Sequence, residues 1–186
     1  MCWAACDRLA KIAFVLRLPE RVAFWRDRAD LIRQRILTEA WNEDRRAFVE
    51  SFGGRELDAS VLLMAEVGFL PATDPRFMST VDAMERTLCD GPFMRRYEAP
   101  DDFGRPETAF NVCAFWRVDA LARTGRRQEA RDAFEALLAR RNHVGLLSED
   151  LDPNTGELWG NFPQTYSMVG IINGAMQLSA PWADAV

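Results

Sequence analysis

Two stretches of the chain concentrate side chains that could do chemistry. Residues 90–106 read Asp-Gly-Pro-Phe-Met-Arg-Arg-Tyr-Glu-Ala-Pro-Asp-Asp-Phe-Gly-Arg-Pro, and residues 141–163 hold Glu149, Asp150 and Trp159 among further acids. Carboxylates and arginines hydrogen-bond to sugar hydroxyls, while aromatic faces cover the apolar C–H surface of a sugar ring. The two stretches together therefore favour a binding site for a neutral polyol such as a sugar.

Carboxylates are also the groups that glycoside hydrolysis requires. One carboxylic acid protonates the leaving oxygen, and a second carboxylate acts as a base or nucleophile.

Two other interpretations of residues 149–157 stay open. Asp150, Asp152 and Asn154 begin like a calcium-binding loop. However, the glycine comes one position late and Asn161 stands where the bidentate glutamate belongs. The other alternative is a solvated acidic turn.

The charge distribution excludes several classes of function. Of the 186 residues, 142–186 contain five acids and no Lys or Arg, which accounts for the whole net charge of −5. A neutral body with an acidic end lacks the basic stripe that nucleic acid requires, so we expect no nucleic-acid partner. One histidine and four cysteines without a Cys-x-x-Cys pair argue against a structural zinc site. The sequence predicts no metal and no cofactor.

The chain is predicted to be cytoplasmic and to have no membrane partner. Asp7, Arg8 and Lys11 interrupt any apolar core of a signal peptide. The longest uncharged run, Leu158 to Ala183, carries asparagines, glutamines and glycines, which fit a buried helix better than a membrane span. The four cysteines show no recognisable pairing pattern, which indicates free thiols and therefore a reducing compartment.

Helices must position these residues, because strand patterns are weak and limited to short stretches such as 48–52. The sequence predicts seven helices. Their approximate ranges are 2–17, 19–36, 58–67 (with residue 58 as the cap and 62–67 as the apolar positions), 74–88, 107–123, 130–138 and 164–178. Short turns join them in pairs, and long connectors link the pairs at 41–57, 89–106 and 140–163. Since antiparallel helices alternate in direction, all three long connectors should share one end.

Several motifs carry a family resemblance: Leu57-Asp58-Ala59-Ser60, Val67-Gly68-Phe69-Leu70-Pro71, Asp74-Pro75-Arg76, Arg96-Tyr97, Glu107-Thr108-Ala109-Phe110, Phe115-Trp116-Arg117-Val118-Asp119-Ala120-Leu121-Ala122, and residues 142–170 with Leu146-Leu147-Ser148-Glu149. Over essentially the whole chain they resemble the bacterial glucoamylase/trehalase-type glycoside hydrolases. That family folds as a six-over-six barrel of helical hairpins. The resemblance therefore implies an all-α chain whose antiparallel hairpins form the second half of an (α/α)6 barrel.

The resemblance also implies an activity and roles for particular residues. The family cleaves α-glucosidic bonds with inversion by means of two glutamates, and the general base corresponds to Glu149. The implied substrates are α-linked glucosides, namely a maltooligosaccharide, a starch-like glucan or trehalose. Thr108 replaces a glycine of the family motif. The residues implied to bind substrate are Arg96, Tyr97, Glu107, Phe110 and Trp159.

One half of the catalytic pair is missing from the resemblance. The general acid of the family lies in a Trp-Glu-x-Arg motif upstream of the Met-Cys-Trp with which this chain begins, and no such motif occurs here. We therefore expect residues 1–186 to be a partial catalytic domain without the N-terminal half of the barrel or the family's β-rich domain, and Met1 to be internal. An open barrel face would favour self-association. The alternative is a non-catalytic helical remnant or interaction module.

Overall fold

The structure is a computed structural model that describes residues 1–102 and 104–179. Its helices are α1 (Cys2–Val15), α2 (Pro19–Glu39), α3 (Leu63–Glu66, preceded by a 3₁₀ turn at Ala59–Leu62), α4 (Pro75–Leu88), α5 (Asn111–Arg123), α6 (Arg127–Leu138) and α7 (Thr165–Leu178). The seven helices within the described ranges confirm the predicted all-α class and helix count. Consecutive helices form hairpins, as in α1 with α2 and α5 with α6.

Short strands occupy the long connectors. They are β1 (Trp41–Asn42), β2 (Ala47–Phe48), β3 (Cys89–Asp90), β4 (Phe93–Met94), β5 (Ala109–Phe110), β6 (Asp150–Leu151) and β7 (Leu158–Trp159). The first four form two antiparallel hairpins, and the last three form an antiparallel sheet in the order β5-β6-β7. Each strand has two residues, too few for an alternating pattern, so the sequence indicated only the stretch near Phe48.

Local capping explains where the helices begin. The Asp74 carboxylate accepts the backbone N–H of Arg76 at 2.8 Å, and Pro75 occupies the first helical position of α4. In α6, the residues Ala130, Ala133, Phe134 and Leu137 are buried, which is the stripe that the helical spacing predicted. The start of α4 and the buried face of α6 depend on residues that are close in sequence. Both can therefore be predicted from the sequence.

Three expectations about helices are corrected by the structure. The fifth helix begins at Asn111 and not at Glu107, because Ala109 and Phe110 pair with Leu151 and Asp150 as strands. The third helix is a 3₁₀ turn followed by one α-helical turn, both shorter than the pattern suggested. Helix α7 is not a fully buried helix, because one of its faces is exposed. Residues 180–183 of the long uncharged run lie outside the described residues.

The core centres on α5, which packs against α6, α7, α3 and α4. Helix α7 packs against α5 and α6 through two glycines that face aromatic rings. A Cβ at Gly170 would lie 2.4 Å from Cδ2 of Phe115 on α5, and a Cβ at Gly174 would lie 2.7 Å from Cε2 of Phe134 on α6, so glycine is required at both positions. Within the described residues, no helix is both long enough and apolar enough to cross a membrane.

The three long connectors meet at one end of the molecule, as the alternation of helix direction predicted. Glu98, in the second connector, accepts the backbone N–H of Leu57 at 2.8 Å and pairs with Arg45 of the first at 2.7 Å. Ala109 and Phe110, which follow the second connector, form β5 and pair with β6 of the third. This shared end carries the residues that the sequence marked for chemistry.

Candidate functional site

A cleft of about 600 Å³ opens where the second and third connectors meet. Five residues expected from sequence to act in the site line this cleft, namely Arg96, Tyr97, Glu107, Phe110 and Glu149. The structure adds Thr108 and Asp150 to the lining. The residues come from separate connectors, so the cleft exists only once the helices have placed those connectors side by side.

The backbone at Glu149 is fixed by the starts of two helices. Asn111, the first residue of α5, donates its backbone N–H to the Glu149 carbonyl at 3.0 Å and its side-chain amide to the Ser148 carbonyl at 3.0 Å. The Ser167 hydroxyl of α7 also donates to the Ser148 carbonyl, at 2.7 Å. Asn111, Ser148 and Ser167 are buried. Buried polar groups satisfied in this way hold the segment in one position.

The carboxylate of Glu149 is anchored on one oxygen. Oε2 accepts the side-chain amide of Asn161 at 2.7 Å and the backbone N–H of Asn161 at 3.2 Å. Oε1 accepts no hydrogen bond from any residue that the structure describes. Gly160 makes room for this arrangement, because its φ is +76° and a Cβ there would lie 3.0 Å from Oε2. One oxygen is therefore positioned while the other is available to a bound molecule.

Asp150 is a second carboxyl group of the same cleft. It is half-buried on β6, where its register partners are Phe110 on one side and Trp159 on the other. Burial, and then the neighbouring charge of Glu149, raise the pKa of Asp150 to about 6, although a hydrogen bond with Thr108 acts in the opposite direction. At moderately acidic pH this group is therefore a neutral carboxylic acid.

Arg96 provides a positive charge framed by two aromatic rings. Its guanidinium carbon lies 5.8 Å from the centre of the Tyr97 ring and 5.9 Å from the centre of the Phe110 ring. Among the described residues no carboxylate forms an ion pair with Arg96. The aromatic contacts are of the cation–π type and orient the guanidinium without neutralising it. Its N–H donors therefore remain available to a ligand.

The remaining lining residues differ in how firmly they are held. The Tyr97 hydroxyl donates to Asp101 at 2.5 Å, and this hydrogen bond to a carboxylate raises the pKa of Tyr97. Phe110 is half-buried on β5, and its backbone is held by pairing with Asp150 of β6. Glu107 is exposed at the rim and precedes β5.

Trp159 does not line the cleft. Its side chain is 54% exposed on β7, and its indole N–H donates to Glu157 at 3.3 Å.

The calcium-loop interpretation gains no support from the geometry. Asp152 accepts the backbone N–H groups of Asn154 and Thr155 within the turn, whereas Asp150 faces the cleft. The part of the chain that the structure describes holds no cluster of three metal-ligating side chains.

Sequence reasoning missed three residues that shape the site. Asn161 was noted only as the wrong residue for a calcium loop, yet it anchors Glu149. Thr108 was noted only as a departure from the family motif, yet it lines the cleft together with Asp150. Asn111 was placed inside a helix that starts earlier. Thr108 and Asn111 act on residues of the third connector from outside it, and Asn161 lies 12 residues from Glu149 within that connector, so no local pattern could have revealed these contacts.

A comparison with protein families decides what kind of chain this is. Residues 1–176 match the glycosyl hydrolases family 15. The chain belongs to this family. The match extends over α1 to α7 and includes every residue of the cleft, so the expectation drawn from the motifs is confirmed.

Curated relatives in the family are trehalases. The chain is 36% identical to the trehalase of Thermoplasma acidophilum over 187 residues, which cover 100% of this chain and 32% of the trehalase. It is 34% identical to the trehalase of Thermoplasma volcanium, with 96% of this chain and 29% of that protein covered. For the trehalase of Mycobacterium tuberculosis the identity is 35%, and the covered shares are 96% and 26%. The chain thus spans less than a third of these relatives.

Solved structures show the fold. A glycosidase superposes with a TM-score of 0.78 at 18% identity, covering 93% of this chain and 48% of that one. A glycosidase variant in complex with glucose superposes with a TM-score of 0.79 at 18% identity, covering 95% of this chain and 49% of that one. Together with the family match, these likenesses identify the helical hairpins as about half of an (α/α)6 barrel.

A second cavity adjoins the cleft. It has a volume of about 760 Å³ and continues from Arg96, Phe110 and Glu149 along the inner faces of α5 and α7. The exposed residues Tyr166, Val169, Ile172 and Met176 repeat at helical spacing along α7. This surface, which we call the α7 stripe, is apolar and has no partner among the described residues.

Proposed function

We propose that this chain is the general-base half of a trehalase-like glycoside hydrolase. In this proposal Glu149 activates the water that attacks an α-glucosidic bond with inversion. The observation that carries it is the state of the Glu149 carboxylate, which is anchored through Oε2 by Asn161 and open at Oε1 within the cleft. A general base needs a fixed orientation and one oxygen within hydrogen-bond reach of the proton it accepts.

The neighbouring side chains suit a sugar held against Glu149. Arg96 offers several N–H donors to sugar hydroxyls, and the Tyr97 hydroxyl is a further polar contact at the same wall. The ring of Phe110 supplies an apolar face for the C–H surface of the sugar. In this arrangement the sugar is oriented by hydroxyl contacts on one side, while the attacking water lies between its anomeric carbon and Oε1 of Glu149.

We propose that the general acid of the reaction comes from outside this cleft. An inverting pair is separated by roughly 6.5–9.5 Å so that water fits between base and sugar. Asp150 does not meet this requirement. Its Oδ2 and the Glu149 Oε2 lie 3.6 Å and 3.0 Å from one common point, the Cβ position of Gly160, so the two groups share one side of the cleft. We propose that an upstream part of a longer protein supplies the acid across the open barrel face.

Trehalose is the substrate that we propose among the α-linked glucosides, because the curated relatives that match the chain are named trehalases. Maltooligosaccharides and starch-like glucans share the same bond chemistry and remain the alternatives. The proposal is testable in a hybrid enzyme, namely the trehalase of Thermoplasma acidophilum in which this chain replaces the matched region. The unmodified trehalase is the control.

We expect the hybrid enzyme to release glucose from trehalose with a higher kcat/KM than from maltose. Inversion leaves β-glucose from the attacked unit and α-glucose from the leaving unit, so proton NMR of the first products should show both anomers in equal amounts. Retention would give α-glucose alone. A folded hybrid that releases no glucose from either sugar, or that gives only the α-anomer, would contradict the proposal.

A second function, that of a non-catalytic interaction module, is favoured by one observation. The α7 stripe exposes four apolar side chains on a single helix face, and Phe14, Val15 and Leu16 are exposed at the end of α1. Apolar surface of this kind marks association sites. Under this alternative the isolated chain self-associates through the open barrel face. Sedimentation velocity on the chain alone tests it, and a monomer over the whole accessible concentration range would contradict it.

A further inference from the structure

The two carboxyl groups of the cleft are adjacent in the chain and yet face the same space. Successive residues in a strand normally point to opposite sides. Here Glu149 immediately precedes β6, and Asp150 is its first residue. Both line the cleft, and the nearest oxygens of both lie within 3.6 Å of the Cβ position of Gly160. The structure therefore places a pair of carboxyl groups side by side in this cleft.

The two groups have unlike surroundings. Glu149 receives two N–H groups from Asn161, which suits a charged acceptor. Asp150 is half-buried, lies beside Thr108 in the lining of the cleft, and forms no ion pair with any described residue. The two carboxyl groups are therefore not equivalent, although both line the same cleft.

The other charged and titratable groups of the cleft come from the second connector and the residue that follows it. They are Arg96, Tyr97, Asp101, Arg105 and Glu107. The largest influence on Asp150 is burial, followed by the charge of Glu149, and these raise its pKa to about 6. The two arginines of the cleft do not pair with Asp150, so its charge is not compensated when it ionises.

We propose that Asp150 is a sugar-binding residue that works as a neutral carboxylic acid, donating its O–H to a hydroxyl of the sugar bound against Glu149. The proposal rests on the proposed function, since it needs a sugar in this cleft. A protonated carboxyl group is a donor, whereas an ionised one only accepts. Asp150 and Glu149 thereby form a donor and an acceptor side by side. Ionisation of Asp150 removes the donor and adds a second negative charge, which weakens sugar binding.

The variant Asp150→Asn separates this role from a purely structural one. Asparagine keeps the size and retains an N–H donor, but it cannot ionise. We expect KM for trehalose in the hybrid enzyme to rise by about tenfold per pH unit above the Asp150 pKa, while kcat changes less. In Asp150→Asn the KM should stay flat across the same range. The matched control is Asp152→Asn, which makes the same change outside the cleft and should retain the pH dependence.

An Asp150→Asn hybrid that keeps the rise in KM at the same pH would overturn the proposal. Direct titration of the Asp150 carboxyl carbon by ¹³C NMR in this chain provides an independent measurement. We expect a midpoint near 6, and a midpoint near the ordinary value of about 4 would overturn the proposal whether or not the hybrid is active. An inactive hybrid with an elevated Asp150 midpoint would instead count against the proposed function alone, so the two failures are distinguishable.

Discussion

Gly160 offers a sharp way to disturb Glu149 without touching it. The substitution Gly160→Ala adds a single methyl group at a residue whose φ is +76°. That methyl carbon would lie 3.0 Å from Oε2 and 3.1 Å from Cβ of Glu149, so the glutamate must move by a few tenths of an ångström. A left-handed backbone conformation is also about 1 kcal/mol less favourable for a residue with a side chain than for glycine. The variant thus combines a general destabilisation with a specific displacement.

Gly125 separates the two effects. Its φ is +88°, and a Cβ there meets no atom within 4 Å. Gly125→Ala should therefore share the loss of about 1 kcal/mol in the free energy of unfolding, which lowers Tm by roughly 2–4 °C in a chain of this size. It leaves Glu149 and its hydrogen bonds to Asn161 in place.

The expected result is a divergence between stability and activity. Thermal unfolding of this chain should show similar Tm losses for the two variants. In the hybrid enzyme, Gly160→Ala should lower kcat by about tenfold or more, because small displacements of a catalytic group slow a reaction strongly. Gly125→Ala should leave kcat within about twofold of the unmodified hybrid. Equal kcat values for the two variants would refute the account of how Glu149 is positioned.

Two further predictions concern stability and association. Asp7 is buried and pairs with Arg8, Lys11 and Arg26, and chiefly the hydrogen bond with Lys11 lowers its pKa to about 2. Because its cationic partners are largely exposed, Asp7→Asn should lower the free energy of unfolding by only about 1 kcal/mol at pH 7. The stabilisation is present above the unfolded pKa of about 3.8 and is lost as pH falls through about 2, so urea unfolding should show the difference shrinking in acid. If the α7 stripe mediates self-association, Met176→Glu should shift the chain towards monomer in sedimentation velocity, whereas Met78→Glu on α4 should not, and equal effects would contradict the assignment.

The parts of the fold that depend on neighbouring residues were predictable from sequence. Asp74 followed by Pro75 marked the start of α4, and the spacing of apolar residues marked the buried face of α6. The alternation of helix direction placed the long connectors at one end without any residue-level contact. The start of α5 was wrong because Phe110 pairs with Asp150, a residue of a distant connector.

The candidate site shows the same difference between residues marked by a local motif and residues whose contacts are distant in sequence. Motif resemblance indicated Glu149 and Arg96, and the structure brings both into one cleft. Asn161 and Thr108 could not be assigned, because Asn161 meets Glu149 only through the folding of the third connector and Thr108 reaches the cleft from a different segment than Asp150. Trp159 was expected to bind substrate and stays a prediction, since its exposed position on β7 lies beside the cleft lining. Two-residue strands carry no periodic signal that would have shown which way its side chain points.

The central claim is that Glu149 is the general base, and its removal in the hybrid enzyme tests this most directly. Glu149→Gln keeps the shape and the contacts with Asn161 but cannot accept the proton of water. We expect kcat for trehalose to fall by about 10³-fold, within the range for loss of a general base. Glu135→Gln, the same change on the exposed face of α6, should leave kcat unaltered. A Glu149→Gln hybrid with the kcat of the Glu135→Gln control would contradict the claim.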